Sequence, residues 1–119
     1  MPLILLADDN ELNRDMLSRR LQRAGYDTVM AVDGVEAVNK ANEMIPDLII
    51  MDMNMPVMDG WDATREIKQH EETQNIPVLG MSAHAMSSHR QMALAAGCFD
   101  YDTKPVDFQR LLNKLKEIL

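Results

Sequence analysis

Positive charge is in short supply in this chain: Lys and Arg number 12 against 19 Asp and Glu, leaving a formal net charge of −7 at pH 7. A surface of that sign repels nucleic-acid phosphates and anionic lipid headgroups, so neither nucleic acid nor membrane is expected as a direct partner. Cysteine is scarcer still. The single thiol, Cys98, cannot close an intramolecular disulfide, and His70, His84 and His89 show no ligand spacing with it, so Cys98 reads as a buried strand residue. Long apolar runs are missing as well: the first, Leu3 to Ala7, is far too short for a signal peptide or a membrane span. The expected compartment is the cytoplasm. No Ser-, Gly- or Pro-rich linker and no internal repeat interrupts the chain, so residues 1–119 are expected to form one domain. What is present, 46% hydrophobic and 26% charged residues, suits a folded domain with a real core and excludes disorder.

Short apolar runs alternate with longer segments of helical period. Leu3 to Ala7 predicts a strand, and Leu12, Met16, Leu17, Leu21 and Ala24 predict a helix with those residues on its core face and Gly25 at its C-terminal stop. Asp27 to Val32 predicts a second strand. Val35, Val38, Ala41 and Ile45 give a second helical stripe, which Pro46 should end. Asp47 to Met51 is apolar on both faces, as a central strand of a parallel sheet must be. A third helix is expected from Asp59-Gly60 to about His70, a fourth strand over Pro77 to Met81, and a fourth helix from Ala85 to Ala96, ended by Gly97. Cys98 to Asp102 should be the fifth strand, and Phe108, Leu111, Leu112, Leu115, Ile118 and Leu119 mark a last core-facing helix. Regular βα alternation implies right-handed crossovers and a doubly wound five-stranded parallel α/β sheet.

In such sheets ligands bind outside the carboxyl ends of the strands. Applied here, that rule collects Asp8 and Asp9, Asp52, Ser82 and Lys104. Three close carboxylates repel one another unless a hard, oxygen-seeking dication such as Mg²⁺ or Ca²⁺ neutralises them. A lone lysine and a small hydroxyl beside them fit a phosphoryl group held next to Mg²⁺, with a carboxylate as nucleophile and an aspartyl phosphate as product.

Other readings compete. Capping of the first helix would by itself account for Asp8, Asp9 and Asn10, and Asp59 with Gly60 reads as the cap and turn of the third helix, without chemistry. Taken from Asp52, an EF-hand loop would need Gly at its sixth place and Glu at its twelfth, where Val57 and Ala63 stand, so calcium sensing fails. Phosphatases of the haloacid dehalogenase type place a second Asp two residues after the nucleophile, and here that residue is Asn54. Methionines at 51, 53, 55 and 58 are read as packing rather than copper ligands.

The ordered set of Asp8-Asp9, Met51 to Pro56 around Asp52, Asp59-Gly60, Ser82-Ala83 and Lys104-Pro105 resembles the receiver domains of two-component response regulators, of the stand-alone chemotaxis-regulator type, along essentially the whole chain. The resemblance implies a flavodoxin-like (βα)5 fold of strand order 2-1-3-4-5, the order that illustrates this fold generally. It implies that Asp52 accepts a phosphoryl group from a sensor histidine kinase or histidine phosphotransfer protein. Asp9, Asp52 and the backbone carbonyl of Asn54 would ligate Mg²⁺, and Asp8 would act through metal-bound water. Ser82 and Lys104 would hold the phosphoryl oxygens, with Ala83 beside them. The Lys104-Pro105 peptide would be cis, and Tyr101 would be the aromatic switch that remodels the face of the fourth helix, fifth strand and fifth helix. Departures from the family pattern are small: Ser82 stands where Thr is frequent, and the string Ala83 to Met86 after it resembles receivers of hybrid kinases.

The expected function is therefore a phosphorylation-controlled switch of a phosphorelay, not an enzyme, whose only chemistry is on itself and whose altered surface binds an unidentified downstream protein. With the chain ending after the fifth helix, its output is expected to pass through that other protein. One rival is a Mg²⁺-dependent phosphohydrolase with Asp52 as nucleophile, distinguished by multiple turnover on small phosphate esters. The other is a receiver-like interaction module that never uses phosphate, against which the full set of site residues argues.

Overall fold

A computed structural model describes residues 1–83 and 87–119. In chain order the elements are β1 (Leu3–Ala7), α1 (Glu11–Arg23), β2 (Asp27–Ala31), α2 (Gly34–Met44), β3 (Leu48–Asp52), α3 (Gly60–Gln69), β4 (Val78–Ser82), α4 (Ser87–Ala96), β5 (Asp100–Thr103) and α5 (Phe108–Ile118). The five strands are parallel in the order β2-β1-β3-β4-β5, the doubly wound arrangement expected. The expected start of the fourth helix at Ala85 lies outside the described residues.

Every residue of β3 and of β4 is buried, because helices cover both faces of the sheet centre. One face carries Leu17 and Leu21 of α1 with Leu111 and Leu115 of α5, packed on Ile4, Leu6 and Ile50. The other carries mostly small side chains, Ala37 and Ala41 of α2, Ala63 of α3 and Ala93 of α4, which let helices approach Leu5, Ile49 and Met51. Side-chain carboxylates or amides cap four helices at the carboxyl edge: Asn10, Asp33, Asp59 and Asp107 accept the amides of Asn13, Glu36, Asp62 and Arg110.

Several expectations need correction. Leu12 and Met16 are exposed, because α1 meets the core through Leu17 and Leu21, and at about 100° per residue Leu12 stands roughly opposite Leu21 while Met16 is turned well away from both; Ala24 is its exposed C-cap. Val32 lies past the end of β2, and Ile45 has left the α2 stripe to become the C-cap, in the left-handed region at φ 45°. The stop therefore comes one residue before Pro46. β3 and β4 each begin and end one residue later than expected, so Asp52 and Ser82 are the last residues of their strands. Cys98 is buried but sits before the start of β5, and Ile118 and Leu119 are exposed at the end of α5.

Candidate functional site

Strand register assembles the site. Ala7 of β1 lies beside Met51 of β3, so the next residues, Asp8 and Asp52, leave the carboxyl edge side by side; Ser82 lies beside Thr103, which delivers Lys104 to the same edge. Capping of α1 falls to Asn10, which leaves the carboxylates of Asp8 and Asp9 for other work. One oxygen from each of Asp8, Asp9 and Asp52 lies within 4.8 Å of the others, with Asp8 and Asp52 buried and Asp9 exposed.

Lys104 bridges the two buried carboxylates: its Nζ lies 3.0 Å from Asp52 Oδ2 and 3.1 Å from Asp8 Oδ2. The second oxygen of each is also held, Asp52 Oδ1 by the amide of Asn54 at 3.1 Å and Asp8 Oδ1 by the amide of Asn10 at 2.8 Å. Asn54 Nδ2 donates to Ser82 Oγ at 3.0 Å, so the hydroxyl is tied to the loop that follows Asp52. The Lys104 amide donates to the Ser82 carbonyl, and the Lys104–Pro105 peptide is cis. Ala83 follows Ser82 at the exposed rim, whereas Tyr101 is buried within β5.

Burial pushes the Asp52 carboxyl above its ordinary range, more than the hydrogen bonds from Lys104 and Asn54 and the ammonium charge pull it down; Asp8 pushes it further up. Burial alone would lower the Lys104 ammonium, but two carboxylates face this one cation, and they hold it above its usual range. Three carboxylates against one ammonium leave a formal charge of −2, which matches one dication. The donor set is all oxygen, suited to a hard cation and unsuited to a soft one.

Some residues that build the site escaped the sequence reading. Arg14 of α1 donates to the Asp8 carbonyl at 2.7 Å and fixes the strand end. In the sequence the Asn54 side chain reads only as a missing carboxylate, whereas here its amide holds the Ser82 hydroxyl. Gly60, read as a turn residue, opens α3 against β3: a Cβ there would collide with the Asp52 carbonyl and come within 2.8 Å of Met53 Cε. Its signal was glycine at the first position of a helix, where the usual choices carry a side chain.

A flavodoxin-like sheet with a cation-seeking acidic pocket and a bridging lysine at its carboxyl edge defines a class of small α/β signalling domains. Within that class, the chain belongs to the response regulator receiver domain family, whose model matches residues 4–116. Over 116 residues it is 34% identical to the polar-differentiation response regulator DivK of Brucella ovis, covering 98% of this chain and 94% of that protein. The chemotaxis protein CheY4 of Vibrio cholerae superposes with a TM-score of 0.93 at 34% identity, covering 100% of this chain and 99% of that one. The receiver domain of the sensor histidine kinase PA1611 from Pseudomonas aeruginosa, with a magnesium ion coordinated in its active-site cleft, gives 0.91 at 35% identity, over 98% and 96% of the two chains. The chain is thus a two-component signalling receiver, of a family whose members partner with histidine kinases or phosphotransfer proteins. None of its described helices is long and apolar enough to cross a membrane.

Proposed function

We propose that Asp52 is the phosphoacceptor and that the protein is a switch, not a turnover enzyme. The observation that carries this reading is a buried carboxylate at the end of the central strand, with one oxygen on the Lys104 ammonium and two further carboxylates beside it. An Asp52 oxygen attacks the phosphorus of a phosphohistidine on a kinase or phosphotransfer protein; the P–O bond forms as the P–N bond breaks, and the imidazole leaves with a proton. Lys104 faces the incoming phosphoryl oxygens as a point charge, and Ser82 donates to another of them once its hydroxyl turns from Asn54.

Asp9, Asp52 and the Asn54 carbonyl would hold Mg²⁺, with Asp8 acting through water. The ion supplies charge neutralisation for the phosphoryl group and the acidic pocket. Exposed Leu12 lies in the first turn of α1, three residues after Asp9, so a protein donor is read as approaching over the start of α1. Incubation with acetyl phosphate and Mg²⁺ should add one acid-labile phosphoryl group, seen by intact-protein mass spectrometry, and Asp52→Asn should abolish it. Equal labelling of that variant overturns the assignment, and sustained multiple turnover on small phosphate esters would favour the phosphohydrolase instead.

A further inference from the structure

Tyr101 is 4% exposed, its ring packed in the core on the α2, α3 and α4 side of the sheet. Such a position needs space, and the space is made by the residue paired with it across the ladder, Gly80 of β4. A Cβ on Gly80 would come within 3.2 Å of Cys98 Sγ, 3.3 Å of Tyr101 Cδ2 and 3.4 Å of Met53 Cε. Glycine in a fully buried central strand is otherwise unfavourable, since it surrenders side-chain packing and backbone entropy. Outside the slot, Arg90 of α4 holds the strand: Nη1 donates to the Tyr101 carbonyl at 3.2 Å, and Nη2 pairs with Asp100 at 3.4 Å. On the opposite face, Lys114 of α5 pairs with Asp100 at 2.7 Å and Asp102 at 2.9 Å, pinning the residues on either side of Tyr101.

The geometry points to Gly80 as the residue that keeps the Tyr101 ring inside the unmodified protein, so that arrival of a phosphoryl group does not have to move it. The α4–β5–α5 face is then set on the ring side before phosphorylation. Any change there comes through Ser82, whose hydroxyl is held by Asn54 before phosphorylation. The part of this inference that concerns phosphorylation rests on Asp52 as acceptor; the part that concerns the resting ring does not.

The chain has two tyrosines, Tyr26 and Tyr101, so a Tyr26→Phe protein labelled with 3-fluorotyrosine reports Tyr101 alone by ¹⁹F NMR. The expected spectrum without phosphate analogue is one signal with almost no H₂O/D₂O solvent shift, and the same signal should persist with Mg²⁺ and beryllofluoride. In Gly80→Ala a second, solvent-shifted signal should appear, although strand propensity alone predicts that alanine improves β4. A solvent-shifted ring in the unmodified protein, or a ring that moves inward with beryllofluoride, overturns the inference. So does a folded Gly80→Ala protein with an unchanged signal. If Gly80→Ala fails to fold, the unsubstituted ring measurements still decide. Backbone amide shifts at Asp52 and Asn54 report separately whether beryllofluoride binds: their silence would count against the acceptor assignment and leave the resting-ring result intact.

Discussion

Asp52 shows how burying one carboxylate weighs on the fold. Burial raises its pKa above the ordinary 3.8, so the folded state binds its proton more tightly than the unfolded chain does. The sign follows: stability associated with this group is fully present below about pH 4 and is lost as pH rises through its folded pKa. Asp52→Asn removes that titration. In EDTA the variant should melt above the unsubstituted protein at pH 7, and the gap should close toward pH 3; a variant that melts lower at pH 7 would show that the Lys104 contact outweighs burial. Val57 is a second strained residue. It holds φ 69° at the centre of a three-residue turn closed by the Met58 amide on the Pro56 carbonyl at 2.7 Å, and it is 82% exposed. A β-branched residue in the left-handed region costs about 1–2 kcal/mol, and so exposed a side chain recovers little by packing. Val57→Asn should therefore raise stability by about 1 kcal/mol, or roughly 4 °C in a thermal melt. An unchanged or lower midpoint would place the turn elsewhere in its energy landscape.

Helices and strands were legible wherever period and punctuation agreed. β3 announced itself as central because Leu48 to Met51 are apolar on both faces, and Gly25, at φ 99°, follows α1 as the stop its position suggested. Failures came where apolar residues of one helix do not share one face. Leu12 stands about 140° and 180° around the helix axis from the core residues Leu17 and Leu21, so α1 carries two apolar stripes and the sequence alone does not say which one meets the sheet. Tyr101 was equally ambiguous, because its burial depends on Gly80, a residue distant in sequence that registers beside it only after folding. The misjudged Leu12 is useful in its own right: an exposed, large apolar side chain in the first turn of α1, the helix that follows Asp8 and Asp9, is placed to meet a protein donor and is irrelevant to a small one. Leu12→Asp should slow phosphoryl transfer from a phosphohistidine protein by about tenfold, equivalent to about 1.4 kcal/mol, and leave labelling by acetyl phosphate unchanged. Equal slowing with both donors would place the defect in the pocket and not in docking.

At the scale of the whole molecule, the sequence disclosed the site because a doubly wound sheet converts strand order into proximity: Asp8, Asp52 and Lys104 are far apart in the chain and are joined by 3.0 and 3.1 Å contacts. Hidden from it was the degree to which Lys104 already compensates the acidic charge. With one ammonium against three carboxylates the pocket retains a formal −2, and the unfolded chain, which separates these groups, is relieved of that repulsion. Mg²⁺ binding only the folded form should therefore stabilise it without any phosphate. At ten times the dissociation constant the gain is about 1.4 kcal/mol, a shift of roughly 5 °C for a domain of this size. Asp9 is exposed, so Asp9→Ala should change the metal-free midpoint little and upward, by removing one like charge, while erasing most of the magnesium effect through loss of a ligand. Melts in EDTA and in millimolar MgCl₂ at matched ionic strength separate site binding from general screening of the −7 net charge. If both proteins melt alike with and without magnesium, the three carboxylates are a strand-end cluster held by Lys104 and not a cation site.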